Sequence, residues 1–159
     1  MKKFDEVGLR LAEYQGQIFE ASVKKCACSS LVFIRRFFKS VVSERIDNSN
    51  NNVLLDVNYA IEEIEKEFGE SKYGKEKYSE KALFWVGYIY RYICYTREVN
   101  SKTVYKLIKP KQLLEMYYVY HTQSEEYVVS SILELKGLNE NDLDFYERQK
   151  AILKKYYKA

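Results

Sequence analysis

Residues that break helices are scarce in this chain. Its 159 residues include one proline and six glycines, whereas an all-β design needs turn-forming residues at each of its many connections. This scarcity argues against a β sandwich or barrel. The length suits a single domain. The hydrophobic share of 47% provides enough apolar material for a core.

Residues that bind metals or form disulfides are also few. The three cysteines, Cys26, Cys28 and Cys94, are an odd number without the spacing of a disulfide framework, a zinc knuckle or a redox pair. We therefore expect small, partly buried thiols. His121 is the only histidine, which excludes metal sites built on a pair of histidines. The pattern predicts neither a metal nor a cofactor.

Long apolar runs are absent as well. The most apolar segment, Ala82 to Tyr95, has 14 residues and contains Arg91, whereas a membrane-spanning helix needs about 20 apolar residues. The basic start, Met1 to Glu6, is not followed by the apolar stretch of a signal peptide. A net charge of +3 is too even to indicate nucleic acid or an anionic membrane. The sequence therefore predicts a cytoplasmic protein that does not bind membranes.

Tyrosine, by contrast, is abundant. The chain has 16 Tyr, 8 Phe and one Trp. A tyrosine buries a large ring and still carries a hydroxyl group that needs a hydrogen-bond partner. These residues could therefore build a core with polar tips or a recognition surface. Composition leaves both open, and we expect most tyrosines in the core and at its margin.

Apolar residues recur at steps of three and four along most of the chain, which is the spacing of one helix face. The segment from Ser79 to about Arg97 has two such rows, as is typical of a helix buried nearly all round. The sequence predicts a single all-α domain over residues 1–159. Seven or eight helices would surround a central helix at about residues 79–97, and the last would begin at Asn139 or Asn141.

One stretch is ambiguous. Leu31 to Ile34 alone would suit a strand, but the apolar pattern continues to Ile46, and that length favours one helix over residues 31–46. Residues 47–52 are all polar turn formers and predict a loop. A further helix is predicted from Val53 to Phe68.

Motifs of common enzymes are missing. The chain has no glycine-rich phosphate loop, no Gly-x-Ser-x-Gly and no His-Glu-x-x-His. His121 could act alone as a general base, because histidine titrates near neutral pH. A lone histidine at a helix end more often donates a hydrogen bond to a carbonyl of the last turn. We assign no catalytic residue.

Basic and aromatic residues alternate in two segments, residues 33–39 and 88–111. Such mixtures can stack on bases and neutralise phosphates, but core rings with arginines between them have the same pattern. Residues 101–108 followed by residues 111–121 also have the outline of a helix-turn-helix. The alternative function is therefore nucleic-acid binding. The residues predicted for it are Arg91, Arg97, Lys102, Lys106, Lys109 and Lys111.

Four strings carry a resemblance to a family: Ser29–Phe38, Tyr73–Tyr78, Trp85–Tyr92 and Tyr120–Thr122. Together they resemble small helical bacterial proteins that look like the antitoxin or accessory partners encoded beside toxin genes. The similarity covers roughly residues 4–136. It implies a partner protein, such as a toxin, and no catalytic residue.

The function we expect is a non-catalytic protein-interaction module that binds and restrains a partner protein. Interfaces favour Tyr, Phe, Trp and Arg, because these side chains bury a large area at low entropic cost. The chain is rich in them, and a homodimer stays open. The predicted partner-binding residues are Phe33, Arg35, Arg36, Phe37, Arg91 and His121.

Overall fold

Eight helices and no strands form the regular structure of residues 1–49, 54–139 and Lys155, the part of the chain that the computed structural model describes. The helices are α1 (Glu6–Lys25), α2 (Ser30–Lys39), α3 (Val41–Asp47), α4 (Val57–Phe68), α5 (Glu80–Arg97), α6 (Ser101–Leu107), α7 (Pro110–Tyr120) and α8 (Glu125–Leu135). The predicted all-α bundle is confirmed. Apart from Asn139 and Lys155, the last predicted helix lies outside the described residues.

The central pair of helices is α1 and α5, which pack along each other. Their backbones come into close contact at Gly16 and Gly87. A Cβ atom on Gly87 would lie 3.1 Å from the Cα of Gly16 and 2.8 Å from the carbonyl oxygen of Gln15. The Nε2 of Gln15 donates to the carbonyl oxygen of Gly87 at 3.0 Å. The two glycines weaken helix propensity and allow the two backbones to touch. The predicted central helix is confirmed as α5.

Tyrosines of α5 occupy the core and its margin. Three of them donate their hydroxyl groups to carboxylates: Tyr88 to Glu125 at 3.2 Å, Tyr92 to Glu126, and Tyr95 to Asp5 at 2.6 Å. Tyr90 is completely buried, and its hydroxyl group donates to the carbonyl oxygen of Ile108 at 2.5 Å. Burial raises the pKa of all four tyrosines. These rings therefore supply core volume, and their polar tips are satisfied.

Residues 31–46 are helical, but the prediction of one continuous helix is wrong, because the chain breaks at Ser40. This residue ends α2 and caps α3. Its hydroxyl group accepts from the backbone N–H of Ser43 at 3.3 Å and donates to the carbonyl oxygen of Phe37 at 2.6 Å. The side chain is completely buried. A serine that satisfies both groups locally can therefore turn the chain inside the core.

Polar side chains cap most helix starts. The capping residues are Asp5, Ser29, Ser40, Asp56, Ser79, Asn100 and Ser124. The helix predicted from Val53 begins only at Val57, because Asp56 caps it. Asp47, predicted to begin a loop, is the last residue of α3. Residues 50–53 lie outside the described residues. Pro110 begins α7, where the missing N–H costs no intrahelical hydrogen bond.

Candidate interaction site

A group of side chains surrounds the turn between α7 and α8, and Tyr118, Val119, His121 and Tyr127 are its exposed members. We call it the aromatic corner, and its members are Tyr117, Tyr118, Val119, Tyr120, His121 and Tyr127. Tyr118 is 79% exposed and Val119 is 67% exposed. The ring centroids of Tyr117 and Tyr118 are 5.4 Å apart, and those of Tyr120 and Tyr127 are 6.2 Å apart. Exposed apolar groups that lie together mark interaction sites, whereas isolated ones are ordinary.

A cleft of about 330 Å³ lies beside the aromatic corner. We call it the aromatic cleft, and it is lined by Glu20, Lys81, Phe84, Trp85, Tyr117 and His121. The ring of Tyr117 meets Trp85 edge to face, with centroids 5.9 Å apart. Glu20 and Lys81 contribute one charge of each sign. Mostly aromatic walls with a few polar groups are typical of binding sites.

His121 is oriented by its own helix. Its Nδ1 lies 2.8 Å from the carbonyl oxygen of Tyr117, and its ring stacks on the ring of Tyr117 with centroids 4.6 Å apart. A carbonyl oxygen only accepts hydrogen bonds, so Nδ1 carries the proton and Nε2 of the neutral ring is an acceptor. This is the bond to a last-turn carbonyl that the sequence predicts. The exposed ring therefore presents its Nε2 on an aromatic surface.

Arg91 is not on the surface, and its predicted role as a contact residue is wrong. Only 3% of its side chain is exposed. The guanidinium donates to Gln15 Oε1 at 2.8 Å, to Asp47 Oδ1 at 2.7 Å and to Ser101 Oγ at 2.7 Å. Asp47 in turn accepts from the backbone N–H of Ser101 at 3.0 Å. This buried network joins α1, α3, α5 and α6, so Arg91 holds the bundle together.

Phe33 and Phe37 are also corrected, because both are core residues. Their side chains are 1% and 0% exposed. Phe19 of α1 packs against both rings, with centroid distances of 5.8 Å to Phe33 and 4.9 Å to Phe37. A partner protein cannot reach these rings in the folded chain. Their aromatic pattern indicates the core.

The two arginines of α2, Arg35 and Arg36, have different surroundings. The Nη1 of Arg36 donates to the carbonyl oxygen of Gly69 at 2.5 Å, and its guanidinium lies 5.7 Å from the ring centroid of Phe68. Arg36 therefore attaches α2 to the end of α4. Arg35 is exposed beside Tyr105. Burial raises the pKa of Tyr105, and the charge of Arg35 opposes that rise. The roles of Arg35 and Arg36 in partner binding stay predictions.

The residues predicted for nucleic-acid binding do not form one surface. Arg97 is buried, and its Nη1 and Nη2 donate to Glu126 at 3.2 and 3.3 Å. The ammonium of Lys102 is paired with Glu44 at 3.0 Å. The predicted helix-turn-helix outline corresponds to α6 and α7, each of which packs mainly against α5. Three of the six residues predicted for nucleic-acid binding are exposed and have no carboxylate partner among the described residues. They are Lys106, Lys109 and Lys111.

The three cysteines, Cys26, Cys28 and Cys94, are buried and form no disulfide bond with one another. A hydrogen bond between the thiols of Cys26 and Cys28 raises the pKa of Cys26 and lowers the pKa of Cys28.

No group of three or more potential metal-ligating side chains occurs in residues 1–49, 54–139 and 155. Within the same ranges, no helix has the length and apolar character that crossing a membrane requires.

Comparison of the chain with protein-family models, with curated protein sequences and with solved structures finds no match. The site therefore has to be interpreted from its own geometry.

Of the six predicted partner-binding residues, only His121 lies in the aromatic corner. Trp85 and Tyr118 were not among the predicted site residues. Tyr118 does carry a sequence signal, because it lies off the inward stripe of α7, whose Leu113 and Tyr117 are buried.

Proposed function

We propose that this chain is a non-catalytic, antitoxin-like protein that binds and restrains a partner protein through its aromatic corner. The observation that supports this most directly is the exposure of Tyr118 and Val119 next to a cleft with aromatic walls. Leaving such side chains in water gains nothing for folding. Covering them with a partner removes apolar area from water.

The chemistry of the corner matches what binding hot spots use. Trp and Tyr are enriched at energetic centres of interfaces, where they fill pockets from which water is excluded. Tyr118 projects from the end of α7, and the aromatic cleft beside it offers a concavity with Trp85 and Tyr117 in its wall. Convex and concave features thus lie side by side. A partner side chain would enter the cleft while Tyr118 packs against the partner surface.

Polar groups of the same surface would fix the orientation of the partner. The Nδ1 of His121 is bonded to its own helix, which leaves Nε2 to contact a partner, and the rim charges of Glu20 and Lys81 can each pair with an opposite charge. Polar groups at the rim of an interface contribute more to specificity than to affinity. We therefore expect the rings to determine affinity and the rim charges to determine which partner fits.

The proposal is tested with the proteins encoded beside the gene of this chain. Each is co-expressed with the chain, and the dissociation constant of any complex is measured by calorimetry. Tyr118→Ala or His121→Ala should weaken binding by about 2 kcal/mol, or roughly 30-fold, as expected for a hot spot. The matched control is Tyr73→Ala, because Tyr73 is 75% exposed and lies outside the aromatic corner. If a neighbouring gene product arrests growth, co-expression should restore it.

Two results would contradict the proposal. The first is that no neighbouring gene product binds with a dissociation constant of about 10 μM or lower. The second is that Tyr118→Ala weakens a complex no more than Tyr73→Ala does. Light scattering of the chain alone tests whether it forms a homodimer. A stable dimer that Tyr118→Ala dissociates would show that the corner binds a second copy rather than a different protein.

A further inference from the structure

A second cleft lies at the opposite end of α7 from the aromatic corner. It has a volume of about 270 Å³ and is lined by Leu31, Val32, Arg35, Tyr105, Lys109, Pro110 and Lys111. We call it the basic cleft. Lys111 and His121 are separated by about 15 Å along the helix, at a rise of about 1.5 Å per residue. The basic cleft is therefore a surface separate from the one proposed to bind a protein partner.

The charge of the basic cleft is uncompensated. Arg35, Lys109 and Lys111 are exposed, and no aspartate or glutamate is among the lining residues. None of the three forms an ion pair with a carboxylate in the described part of the chain. Other cations of the fold do, such as Arg45 with Glu63 at 2.7 Å. Three cations that line one cleft and have no ion-pair partner among the described residues attract an anion.

One wall of the basic cleft is an aromatic ring. Tyr105 stacks on Phe38, with centroids 4.9 Å apart and planes at 19°. The ammonium of Lys109 lies 5.9 Å from the centroid of the Tyr105 ring. Stacking of a nucleobase on a ring is worth more than the cation–π contact of an exposed lysine. A base would therefore displace Lys109, which would then be free to pair with a phosphate.

We infer that the basic cleft binds one nucleotide, with the base against Tyr105 and the phosphate between Arg35, Lys109 and Lys111. Its volume is just below the range of about 300–1,000 Å³ that is usual for small-molecule sites. The size therefore suits one nucleotide unit and not a dinucleotide cofactor. A nucleotide unit occurs both as a free mononucleotide and as one residue of a single-stranded nucleic acid. The experiment distinguishes these two ligands.

The test uses the full chain and a fluorescein-labelled single-stranded RNA, with binding followed by anisotropy at about 50 mM salt. Because the three cations surround one phosphate, the logarithm of the binding constant should fall with the logarithm of salt concentration with a slope of about −0.7. AMP and inorganic phosphate are added as competitors. Displacement of the RNA by AMP at similar concentrations identifies a mononucleotide site, and displacement by unlabelled RNA alone identifies a strand site. Either result supports the inference.

Three variants separate a specific site from general charge attraction. Arg35→Glu combined with Lys111→Glu should weaken RNA binding at least tenfold. A glutamate in the first turn of α7 favours the helix dipole, so this variant should fold. Lys66→Glu, an exposed change on α4, should alter binding less than twofold. Tyr105→Phe should retain affinity, and Tyr105→Leu, which keeps bulk without a π face, should weaken binding about fivefold or more.

The inference is overturned by any of three results. One is no binding of RNA or AMP at low salt. Another is a loss of affinity in Lys66→Glu that is, on a logarithmic scale, at least half the loss in the double variant, which would indicate attraction to net charge only because the double variant changes the net charge by twice as much. The third is displacement of the RNA by inorganic phosphate at the same concentrations at which AMP displaces it, because the base would then contribute nothing.

Discussion

The guanidinium of Arg91 and the carboxylate of Asp47 are 2.7 Å apart, although 44 residues separate them in the chain. Their side chains are only 3% and 14% exposed. Removing two charges from water is unfavourable unless each keeps its hydrogen bonds. Gln15 and Ser101 supply the remaining partners of the Arg91 guanidinium. The pair is stable because the network around it is complete.

Removal of one member of this pair should therefore destabilise the protein strongly. Asp47→Ala leaves the Arg91 guanidinium buried without its counter-charge. We expect the free energy of unfolding to fall by about 3–5 kcal/mol, measured by urea denaturation. The control is Glu63→Ala, which breaks the exposed pair with Arg45 and should change stability by about 1 kcal/mol or less. Equal losses in the two variants would refute a structural role for the network.

The close contact between α1 and α5 predicts that adding one methyl group at Gly87 lowers the stability of the fold. In Gly87→Ala, the new Cβ would lie 2.8 Å from the carbonyl oxygen of Gln15 and from Cγ of Phe19. Overpacking typically costs about 1–3 kcal/mol, which exceeds the gain of about 1 kcal/mol from replacing a helical glycine. A lower melting temperature is therefore expected. Ser130→Ala, an exposed change in α8, should be neutral or slightly stabilising. A more stable Gly87→Ala variant would show that the backbones are not in contact.

The sign of the stability change in a Ser40→Ala variant should distinguish two separate helices from one continuous helix over residues 31–46. In Ser40→Ala, α3 loses its cap, and the expected loss of stability is about 0.5–2 kcal/mol, measured by urea denaturation. If residues 31–46 preferred one continuous helix, alanine would instead stabilise them, because its helix propensity exceeds that of serine. A stabilised Ser40→Ala variant would therefore contradict the two-helix arrangement.

Alkaline pH should destabilise this fold. Burial raises the pKa of Tyr14 and of Tyr95 to about 12, and the pKa of Tyr90 rises well above its ordinary value of 10.0. Above about pH 10 the unfolded chain releases these protons while the folded chain retains them, so the free energy of unfolding falls as pH rises.

The measurement is the urea midpoint at neutral pH and at about pH 10.5, with tyrosinate absorbance followed in parallel. Ionisation of the buried tyrosines should coincide with unfolding. Below about pH 9 these three groups should have no effect on stability, because the folded and unfolded chains both keep the protons. A midpoint that does not change between the two conditions would contradict the raised pKa of these three hydroxyl groups.

The helical architecture could be predicted because its signals are local. Ser79 precedes the apolar rows of α5, and Pro110 stands where a helix accepts proline, so both helix starts were visible in the sequence. The break at Ser40 was missed because the apolar spacing continues through it. Local periodicity reports which face is apolar, and it does not report where a buried serine turns the chain.

The surface could be predicted only in part, because burial of a charged or aromatic side chain depends on distant residues. Arg91 is buried because Gln15, 76 residues away, and Asp47 meet its guanidinium. No pattern around position 91 contains that information. Phe33 and Phe37 likewise became core residues because Phe19 packs on them. The hydrogen bond of His121 to the preceding turn was predicted correctly, and its role in partner binding stays a prediction.

The buried network also sets an order of events during synthesis of the chain. Asp47 leaves the ribosome 54 residues before Ser101, which corresponds to about 3–10 s at the usual rate of translation. During most of that interval α5 is incomplete, so α1 lacks its main packing partner and the phenylalanine rings of α2 have no complete cover. The nascent chain therefore offers a hydrophobic surface to chaperones for seconds before the last partner of Arg91 arrives.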